Sequence, residues 1–391
     1  MDDLRVAVIG IGNIGSAHAV CIAERQIKGM ILSAVCDIDS EKIKEFKKRY
    51  PNVAEYCQYQ DVLDCKMVDA VVIAVPHPLH ADIAIAALSR GIHVMLEKPA
   101  DITVTKVEEL NRVAEKSGKK FGMMFNQRTN PLFKKAKELV DSGKLGEIKR
   151  TSWIITNWYR TQAYYDSGSW RATWLGEGGG VLLNQAPHQL DLWQWICGMP
   201  SSIIAYCDIS KYHNIEVEDD VTIFAKYKNG ATGTFITSTG EYPGTNRLEV
   251  AGDLGKIVLE NGVLKWWELK ESALETCKHS HIEHAHIDYE YSEMKEEDFD
   301  VAHAKILQNF ANHILYDEEL IAPGQEGIYE LMISNAAYLS SWLGNQEIDI
   351  PFDTQKFDEL LMNRVEGSSL KDSHTNASTV NEYKSRWQVN W

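Results

Sequence analysis

The stretch LRVAVIGIGNIG, residues 4–15, decides the fold of the first part of the chain. It joins a mainly apolar run to three glycines spaced Gly-x-Gly-x-x-Gly and continues at helical spacing, which predicts a buried strand, a tight turn and a helix. The glycines can make the turn, let the backbone approach a pyrophosphate and pack helix on strand, although the pattern also fits a plain glycine turn. The predicted nucleotide-binding residues are Gly10, Gly12, Asn13, Ile14 and Gly15.

An aspartate follows the second predicted strand at the position where a ribose would lie. Asp37 ends the strand Met30–Cys36, 22 residues after Gly15. A carboxylate there can accept hydrogen bonds from the adenosine ribose hydroxyls and would repel a 2′-phosphate. Asp37 therefore predicts NAD rather than NADP, with a turn or helix cap shared with Ser40 as the alternative.

Two patterns of hydrophobicity divide the chain. Residues 1–125 alternate short apolar runs with amphipathic stretches, which predicts a doubly wound α/β domain with a parallel sheet. From residue 126 to 370 the apolar and polar residues alternate, and Asn-Gly turns at 229–230 and 261–262 indicate antiparallel hairpins. We predict a second, mostly antiparallel domain there, with a solvated polar excursion at 275–300 and a C-terminal tail at 371–391.

Composition excludes several classes of protein. The 391 residues are 44% hydrophobic and 25% charged, which is typical of a globular protein. The net charge of −16 repels phosphate backbones and anionic lipids, so we expect no nucleic-acid and no membrane partner. Seven scattered cysteines without a Cys-x-x-Cys pair, and an acidic start without a signal peptide, predict a cytoplasmic protein. The histidines between 279 and 286 lack a recognised ligand spacing, so we expect no metal.

Two further segments carry polar residues where a ligand would bind. Glu97-Lys98-Pro99 follows the strand His93–Leu96, at the carboxyl edge of the sheet. In the segment 178–193, Pro187 suits a first helical turn, which puts His188 and Asp191 on one helical face, with Asn184 four residues before His188. The alternatives are a surface charge pair at 97–98 and a core histidine tied to an aspartate.

Together these segments resemble the Gfo/Idh/MocA oxidoreductases, the family of glucose-fructose oxidoreductase and inositol dehydrogenase. The resemblance rests on residues 10–15, 97–99 and 178–191. It implies an α/β Rossmann domain, an α+β domain with a largely antiparallel open-faced sheet, an NAD cofactor and a homodimer or homotetramer.

The resemblance also implies site residues. The family's catalytic lysine, aspartate and histidine fall on Lys98, Asn184 and His188, and the asparagine departs from the pattern because it cannot transfer a proton. Cofactor contacts are implied for Pro76, His77, His80, Glu97, Lys98, Asn126, Trp170 and Arg171. Substrate contacts are implied for Lys98, Gln127, Arg128, Asn184, His188 and Asp191. Each segment could instead be structural, and an arginine could pin the domains together.

Aromatic residues are dense between Trp153 and Trp174, with seven in 22 residues. Trp158 and Tyr159 are the predicted sugar-stacking residues among them, since aromatic faces pack on pyranose rings. A hydrophobic core or an oligomer interface is the alternative. The sequence of this stretch shows no basic cluster for a phosphorylated substrate.

The sequence therefore predicts an NAD-dependent dehydrogenase that oxidises a secondary hydroxyl of a sugar or glycoside to a ketone. C3 is the first candidate for the carbon that is oxidised. His188 would be the base, and Lys98 would stabilise the alkoxide. Alternatives within the enzyme class are an inositol dehydrogenase and an NAD-dependent redox glycosidase. A non-enzymatic NAD-binding sensor is the alternative outside it.

Overall fold

The computed structural model describes residues 3–295 and 302–371. These residues form two compact units. The first contains 3–129, 176–178 and 302–331, and the second contains 130–175, 179–295 and 332–371. The predicted domain limits at 125 and 370 stay a prediction, and the predicted tail lies outside the described residues from 372 onward.

Strands and helices alternate up to residue 129, as the apolar runs predict. A short strand and a short helix that the sequence did not suggest lie at 54–64. The elements are β1 (Leu4–Ile9), α1 (Asn13–Ala23), β2 (Met30–Cys36), α2 (Ser40–Arg49), β3 (Ala54–Tyr56), α3 (Tyr59–Asp64), β4 (Ala70–Ile73), α4 (His80–Ser89), β5 (His93–Leu96), α5 (Val104–Ser117) and β6 (Phe121–Met123), with 3-10 turns at His77–Leu79 and Asn126–Thr129.

The first unit is a doubly wound α/β fold, as predicted. Its six described strands pair in parallel in the order β3-β2-β1-β4-β5-β6. The apolar side chains of β1 and β4 are buried, because helices cover such a sheet on both faces. This order brings the carboxyl ends of β1, β2, β4 and β5 to one edge, where ligands bind in such folds.

A helix from late in the chain completes the first unit. Residues 302–331, which we placed in the second domain from their sequence, belong to this unit. Met123 N donates to Ala322 O at 3.0 Å, and Lys28 N donates to Gln308 Oε1 at 2.8 Å. Residues 302–331 therefore form hydrogen bonds with both the beginning and the end of the segment 3–129.

The remaining elements run from residue 131 to 366. They are α6 (Pro131–Asp141), β7 (Ile148–Ile155), α7 (Gln162–Tyr165), α8 (Pro187–Cys197), β8 (Ser202–Ile209), β9 (Glu218–Lys226), β10 (Thr232–Ser238), β11 (Asn246–Gly252), β12 (Gly255–Glu260), β13 (Val263–Leu269), α9 (Ala273–His279), β14 (Tyr289–Lys295), α10 (Ala302–Tyr316), a 3-10 turn (Gly324–Glu326), α11 (Gly327–Trp342), β15 (Ile348–Asp349) and α12 (Thr354–Glu366).

The second unit contains a largely antiparallel sheet, as predicted. Its described strands lie in the order β14-β13-β12-β11-β7-β10-β9-β8-β15, and β7 with β10 is the parallel pair. The alternating burial of β9 leaves Thr222, Phe224 and Lys226 exposed, while Val221 and Ile223 are buried. The sheet thus has one covered and one open face.

One expectation for this unit was wrong in part. The region after residue 275 was expected to be a solvated excursion, yet 289–295 form the edge strand β14, which pairs with β13. Its side chains are mostly exposed, so the polar sequence reflects an edge position rather than a loop. Residues 296–300 of the expected excursion lie outside the described residues. No helix in the described part of the chain is long and apolar enough to cross a membrane.

Candidate functional site

The glycine turn after β1 has the shape that a dinucleotide needs. Gly10 has a φ of +85°, and a Cβ there would lie 2.4 Å from Ala74 O. A Cβ on Gly15 would lie 1.8 Å from Gly10 O, so Gly15 allows the helix to pack on the turn. A Cβ on Gly12 would meet no atom of the described chain within 4 Å. Gly12 therefore borders open space, which fits the approach of a pyrophosphate.

The first turn of α1 presents backbone amides beside that space. The helix begins at Asn13, and no described side chain caps it. Ser16 N is bonded to Gly12 O at 2.9 Å, so the amides before it have no partner within the helix. No acidic residue lies in this first turn to compete with an anion.

Asp37 lies beside the turn and fixes it. Its Oδ2 accepts from Ile11 N at 2.9 Å, and its Oδ1 accepts from Asp39 N at 2.9 Å. Asp39, not Asp37, caps α2, by accepting from Glu41 N. Because a carboxylate oxygen can accept two hydrogen bonds, Asp37 can hold the glycine turn and still accept from a ribose hydroxyl.

Glu97 is buried at the end of β5 and is paired with a histidine of α1. His18 Nε2 lies 2.7 Å from Glu97 Oε1, and Lys98 N donates to Glu97 Oε2 at 3.2 Å. Burial raises the pKa of Glu97, but the hydrogen bond and charge of His18 outweigh burial and lower that pKa to about 2. The pair joins α1, the helix after the glycine turn, to the backbone of Lys98, whose side chain is half-buried.

A second histidine extends this cluster. The His303 ring lies 5.5 Å from the His18 ring, and Asn126 Nδ2 is 3.2 Å from His303 Nε2. Burial lowers the pKa of His303 to about 4. Neither His18 nor His303 is predicted from the sequence. The signal for His18 was a polar residue on the buried face of α1, between Gly15 and Ala19.

The segment after β4 is held by its histidines. His77 Nδ1 lies 3.1 Å from Glu177 O. His80 is buried, with Nδ1 2.7 Å from Pro99 O and Nε2 2.8 Å from Val75 O. His80 therefore ties together the loops that follow β4 and β5, next to Pro76. Direct contacts of Pro76, His77 and His80 with a cofactor stay predictions.

Arg128 is committed to contacts inside the first unit. It is 1% exposed, forms an ion pair with Glu326, and lies over the Phe125 ring at 5.3 Å. These contacts lie within one unit, so they do not bear on the pinning of two domains that was the alternative raised from the sequence. Gln127 is also buried. Their predicted substrate contacts stay predictions.

In the second unit, a buried carboxylate shapes the loop before α8. Glu218 Oε2 accepts from Gly180 N at 2.9 Å, and Oε1 accepts from Leu182 N at 3.0 Å and from the Tyr338 hydroxyl at 2.8 Å. Burial raises the pKa of Glu218 to about 7 against the effect of these hydrogen bonds. A Cβ on Gly180 would lie 2.0 Å from Glu218 O, so the loop packs tightly on β9.

This loop leads to the predicted catalytic residues of the second unit. Helix α8 begins at Pro187, so His188 and Asp191 share a helical face, as predicted. His188 is 7% exposed and Asp191 is 1% exposed, and Asp191 Oδ1 accepts from Gln194 Nε2 at 3.1 Å. Asn184 lies in the loop and is half-buried.

A cluster of polar and aromatic side chains surrounds Asn184. The Tyr164 hydroxyl lies 3.5 Å from Asn184 Oδ1 and accepts from Arg171 Nη1 at 2.9 Å and from Gln185 Nε2 at 3.2 Å. Arg160 lies over the Tyr164 ring at 5.1 Å. We call Arg160, Tyr164, Arg171, Asn184 and Gln185 the Tyr164 cluster. From the sequence, Tyr164, Gln185 and Arg160 were not assigned to a site, because the link between 160–171 and 184–185 is tertiary.

The dense aromatic segment is mostly core, the alternative raised from the sequence. Trp153, Trp158, Tyr165 and Trp174 are buried. Tyr159 is 46% exposed and its ring lies 5.5 Å from that of Tyr242. Sugar stacking by Trp158 and Tyr159 stays a prediction.

The four histidines between 279 and 286 do not converge. His279 pairs with Glu275 at 3.4 Å, and His286 pairs with Asp288 at 3.5 Å, all on the surface. Within residues 3–295 and 302–371, no group of three or more His, Cys, Asp and Glu side chains could hold a metal ion.

Comparison with known protein families gives two matches that follow the two parts of the chain. Residues 4–125 match an oxidoreductase family with an NAD-binding Rossmann fold, and residues 133–258 match a GFO/IDH/MocA C-terminal domain. A myo-inositol 2-dehydrogenase of Thermotoga maritima is 26% identical over 269 residues, which cover 66% of this chain and 75% of that protein. An inositol 2-dehydrogenase of Rhodococcus jostii is 35% identical over 148 residues, 38% of this chain and 40% of that protein.

Solved structures with the same fold include two dehydrogenases. The WlbA dehydrogenase from Bordetella pertussis, in complex with NADH and UDP-GlcNAcA, has a TM-score of 0.74 at 25% identity and covers 90% of this chain and 100% of that chain. A levoglucosan dehydrogenase in complex with NADH has a TM-score of 0.75 with the same coverage, and at 20% identity it shows likeness of fold alone.

Proposed function

The chain belongs to the Gfo/Idh/MocA oxidoreductase family, and from that premise we propose an NAD-dependent dehydrogenase that oxidises a secondary hydroxyl, at C3, of a sugar or glycoside to a keto-sugar. That the chain is an oxidoreductase with an NAD-binding Rossmann domain follows from the family. The sugar, the carbon and the roles of individual residues are the proposal.

One observation carries the cofactor part, namely the open space at Gly12 beside the uncapped first turn of α1. The amides of that turn would hold the pyrophosphate, and Asp37 would accept from the ribose hydroxyls. When bound, NAD supplies the acceptor for the hydride that leaves the substrate carbon. The His18–Glu97 pair would keep α1 and the Lys98 backbone in fixed register around that cofactor.

The proton chemistry is assigned to Lys98 and His188. In this proposal His188 accepts the hydroxyl proton, and the Lys98 ammonium donates to the same oxygen and stabilises the developing alkoxide. Asn184 orients a hydroxyl or the imidazole, since its amide cannot take a proton. The near-complete burial of His188 and Asp191 supports the role, because the attraction between a developing charge and a nearby opposite charge is stronger where water is excluded.

Inositol is the second candidate substrate, and the identity to the Thermotoga maritima protein favours it. Both candidates present a ring carbon with a secondary hydroxyl, so Lys98 and His188 would act alike on either. A ketone makes the C–H bond of the adjacent carbon acidic, and loss of that proton would permit elimination of an aglycone. This is the redox-glycosidase form of the proposal.

The open face of the second sheet supports a homodimer or homotetramer. Tyr206 is 56% exposed and Phe224 is 39% exposed on neighbouring strands β8 and β9. An apolar patch on an open sheet is a common site of association. Sedimentation of the purified chain and of Phe224→Glu tests the assembly, and we expect a smaller species for the variant.

The seven free cysteines support the cytoplasm as the compartment, because reducing conditions keep thiols unpaired there.

The enzymatic proposal is tested by mixing the purified protein with NAD and a panel of glycosides, sugars and inositols, and following NADH absorbance. Lys98→Ala and His188→Ala should each lower kcat strongly with little change in NAD affinity, because both act on charge in the transition state. Lys116→Ala and His281→Ala change exposed residues and serve as matched controls. NAD binding without turnover of any sugar or polyol would favour the sensor alternative.

A further inference from the structure

Two arginines flank one tyrosine ring in the second unit. The Cζ atoms of Arg160 and Arg171 lie 5.1 Å and 4.7 Å from the centroid of the Tyr164 ring. Arg171 also lies 4.6 Å from the Trp170 ring, and Arg160 lies 5.7 Å from the Trp158 ring. Stacking on aromatic faces fixes a guanidinium in place and leaves its edge available for hydrogen bonds.

Neither guanidinium has a carboxylate partner in the part of the chain that the structure describes, within the 4.0 Å that defines an ion pair. Arg160 Nη1 donates to Trp158 O and Tyr159 O at 3.2 Å and 2.9 Å. Arg171 Nη1 donates to the Tyr164 hydroxyl. The Nε and Nη2 groups of both arginines have no protein acceptor among the described residues. In a chain with a net charge of −16, two half-buried cations thus flank one ring, and no carboxylate of residues 3–295 or 302–371 pairs with either of them.

A buried amide oxygen in the same cluster also lacks a hydrogen-bond partner among the described residues. Gln185 is 5% exposed, and its Nε2 donates to the Tyr164 hydroxyl at 3.2 Å. Its Oε1 has no hydrogen-bond partner within the described residues. A buried acceptor without a donor costs free energy that a bound ligand hydroxyl would recover. Asn184, the neighbouring residue, is half-buried and contacts the same tyrosine.

We propose that the Tyr164 cluster is a subsite for an anionic group of the sugar, so that the substrate is a sugar acid or a sugar phosphate rather than a neutral glycoside. Arg160 and Arg171 would donate to the carboxylate or phosphate oxygens, and Gln185 Oε1 would accept from a ring hydroxyl. Guanidinium groups match the planar oxygens of a carboxylate and the oxygens of a phosphate. This assignment rests on the proposed sugar dehydrogenase function, because it names the substrate of that same site.

The subsite changes an expectation from the sequence, which showed no basic cluster for a phosphorylated substrate. Arg160 and Arg171 are eleven positions apart in the chain, so they do not form a basic run. They meet because α7 places Tyr164 between them. The overall negative charge would repel an anionic substrate elsewhere on the surface, so the local pair would be the place where an anion is favoured.

The test compares three substrates of one sugar series, a methyl glucoside, the matching glucuronoside and the matching 6-phosphate, on the wild type, on Arg160→Gln and on Arg112→Gln. Arg112 is the matched control, because it is exposed, has no carboxylate partner among the described residues and donates to a backbone carbonyl, Glu108 O. We expect kcat/KM for at least one anionic substrate to exceed that for the glucoside by about tenfold or more, a preference that Arg160→Gln removes and Arg112→Gln retains. The preferred anion identifies the source, carboxylate or phosphate. The preference should shrink as salt is raised.

Several results would overturn the subsite. A glucoside used as well as both anions, or an anion preference that Arg160→Gln leaves intact, would do so while NADH formation still upheld the dehydrogenase. If none of the three sugars is turned over, calorimetry of glucuronate, glucose 6-phosphate and glucose with the NADH-loaded protein decides. Tighter binding of an anion that Arg160→Gln abolishes supports the subsite even when the dehydrogenase proposal fails, and equal binding of all three contradicts it.

Discussion

The imidazole of His18 and the carboxylate of Glu97 are joined by a buried hydrogen bond, with Nε2 and Oε1 2.7 Å apart and both side chains less than a tenth exposed. His18 comes from the helix that follows the glycine turn, and Glu97 immediately precedes Lys98. The pair therefore connects the element that would hold the pyrophosphate with the segment that would hold the substrate hydroxyl. Its contribution is measurable in both stability and pH dependence.

Replacing Glu97 by glutamine should destabilise the chain at neutral pH by roughly 1 to 3 kcal/mol, because the buried imidazole of His18 loses its carboxylate hydrogen-bond partner. The folded pKa of Glu97, about 2, lies below the ordinary value of 4.5, so its contribution is present above 4.5 and is lost as pH falls towards 2. Urea unfolding of both proteins at several acidic pH values measures this. Asp69→Asn breaks the exposed Arg5 pair and should cost less than about 1 kcal/mol. Equal stability of Glu97→Gln and wild type would contradict the account.

Much of this arrangement could be anticipated from the chain itself. The glycine spacing and the apolar runs predict the parallel sheet, because the hydrophobic periodicity and the residues that form turns are local properties of the sequence. The edge at which Asp37 and Glu97 lie follows from strand direction. The His18–Glu97 pair could not be predicted, since its partners are 79 positions apart and the polar residue on the buried face of α1 does not indicate its partner.

The second unit was less predictable for the same reason. The Asn-Gly turns correctly indicate hairpins, and Asn261 and Gly262 have positive φ as such turns require. The edge strand β14 was missed because exposed edges carry polar residues. The link between Tyr164 and Asn184 depends on how α7 packs beside the loop before α8, which no short-range pattern encodes.

Asp37→Ala should weaken NAD binding by roughly 1 to 3 kcal/mol and reduce the preference of the chain for NAD over NADP. The loss has two sources, the ribose hydrogen bonds and the bond from Ile11 N that steadies the glycine turn. Fluorescence or calorimetric titration with each dinucleotide measures it. Asp39→Ala is the matched control, since it removes the cap of α2 and should leave NAD affinity unchanged. Unchanged affinity in Asp37→Ala would remove this carboxylate from the site.

Glu218 gives the stability of the second unit a pH dependence opposite in sign to the one that Glu97 gives the first unit. Burial raises its pKa from 4.5 to about 7, so the folded chain holds a proton that the unfolded chain has released between these values. The stabilising contribution is complete below pH 4.5 and is lost as pH rises through 7. Tyr338 and Cys207 face the same group, and burial raises the pKa of each well above its ordinary value. Glu218→Gln should remove this part of the slope in unfolding experiments, and parallel curves for variant and wild type would refute the assignment.

Asn184→Asp tests the residue at which this chain departs from its family. A carboxylate beside His188 would favour the imidazolium, so the rising limb of kcat/KM should move to higher pH. Arg171, bonded to the same Tyr164 hydroxyl that contacts Asn184, would offset part of the shift. Asn184→Ala should raise KM or lower kcat without moving that limb. An unshifted profile in Asn184→Asp would mean that the two side chains do not interact, or that His188 is not the titrating base.

The central claim is that the chain removes hydride from C3 of a sugar. The most direct measurement uses glycosides and sugar acids deuterated at carbon 3, incubated with the protein and NAD, with mass spectrometry of the reduced nicotinamide and of the sugar product. We predict that deuterium appears in the reduced nicotinamide, that the sugar gains a 3-keto group and that turnover slows with the labelled substrate. Deuterium retained in the oxidised sugar would contradict oxidation at C3, and the absence of any reduced nicotinamide across the sugars and inositols would contradict the dehydrogenase itself.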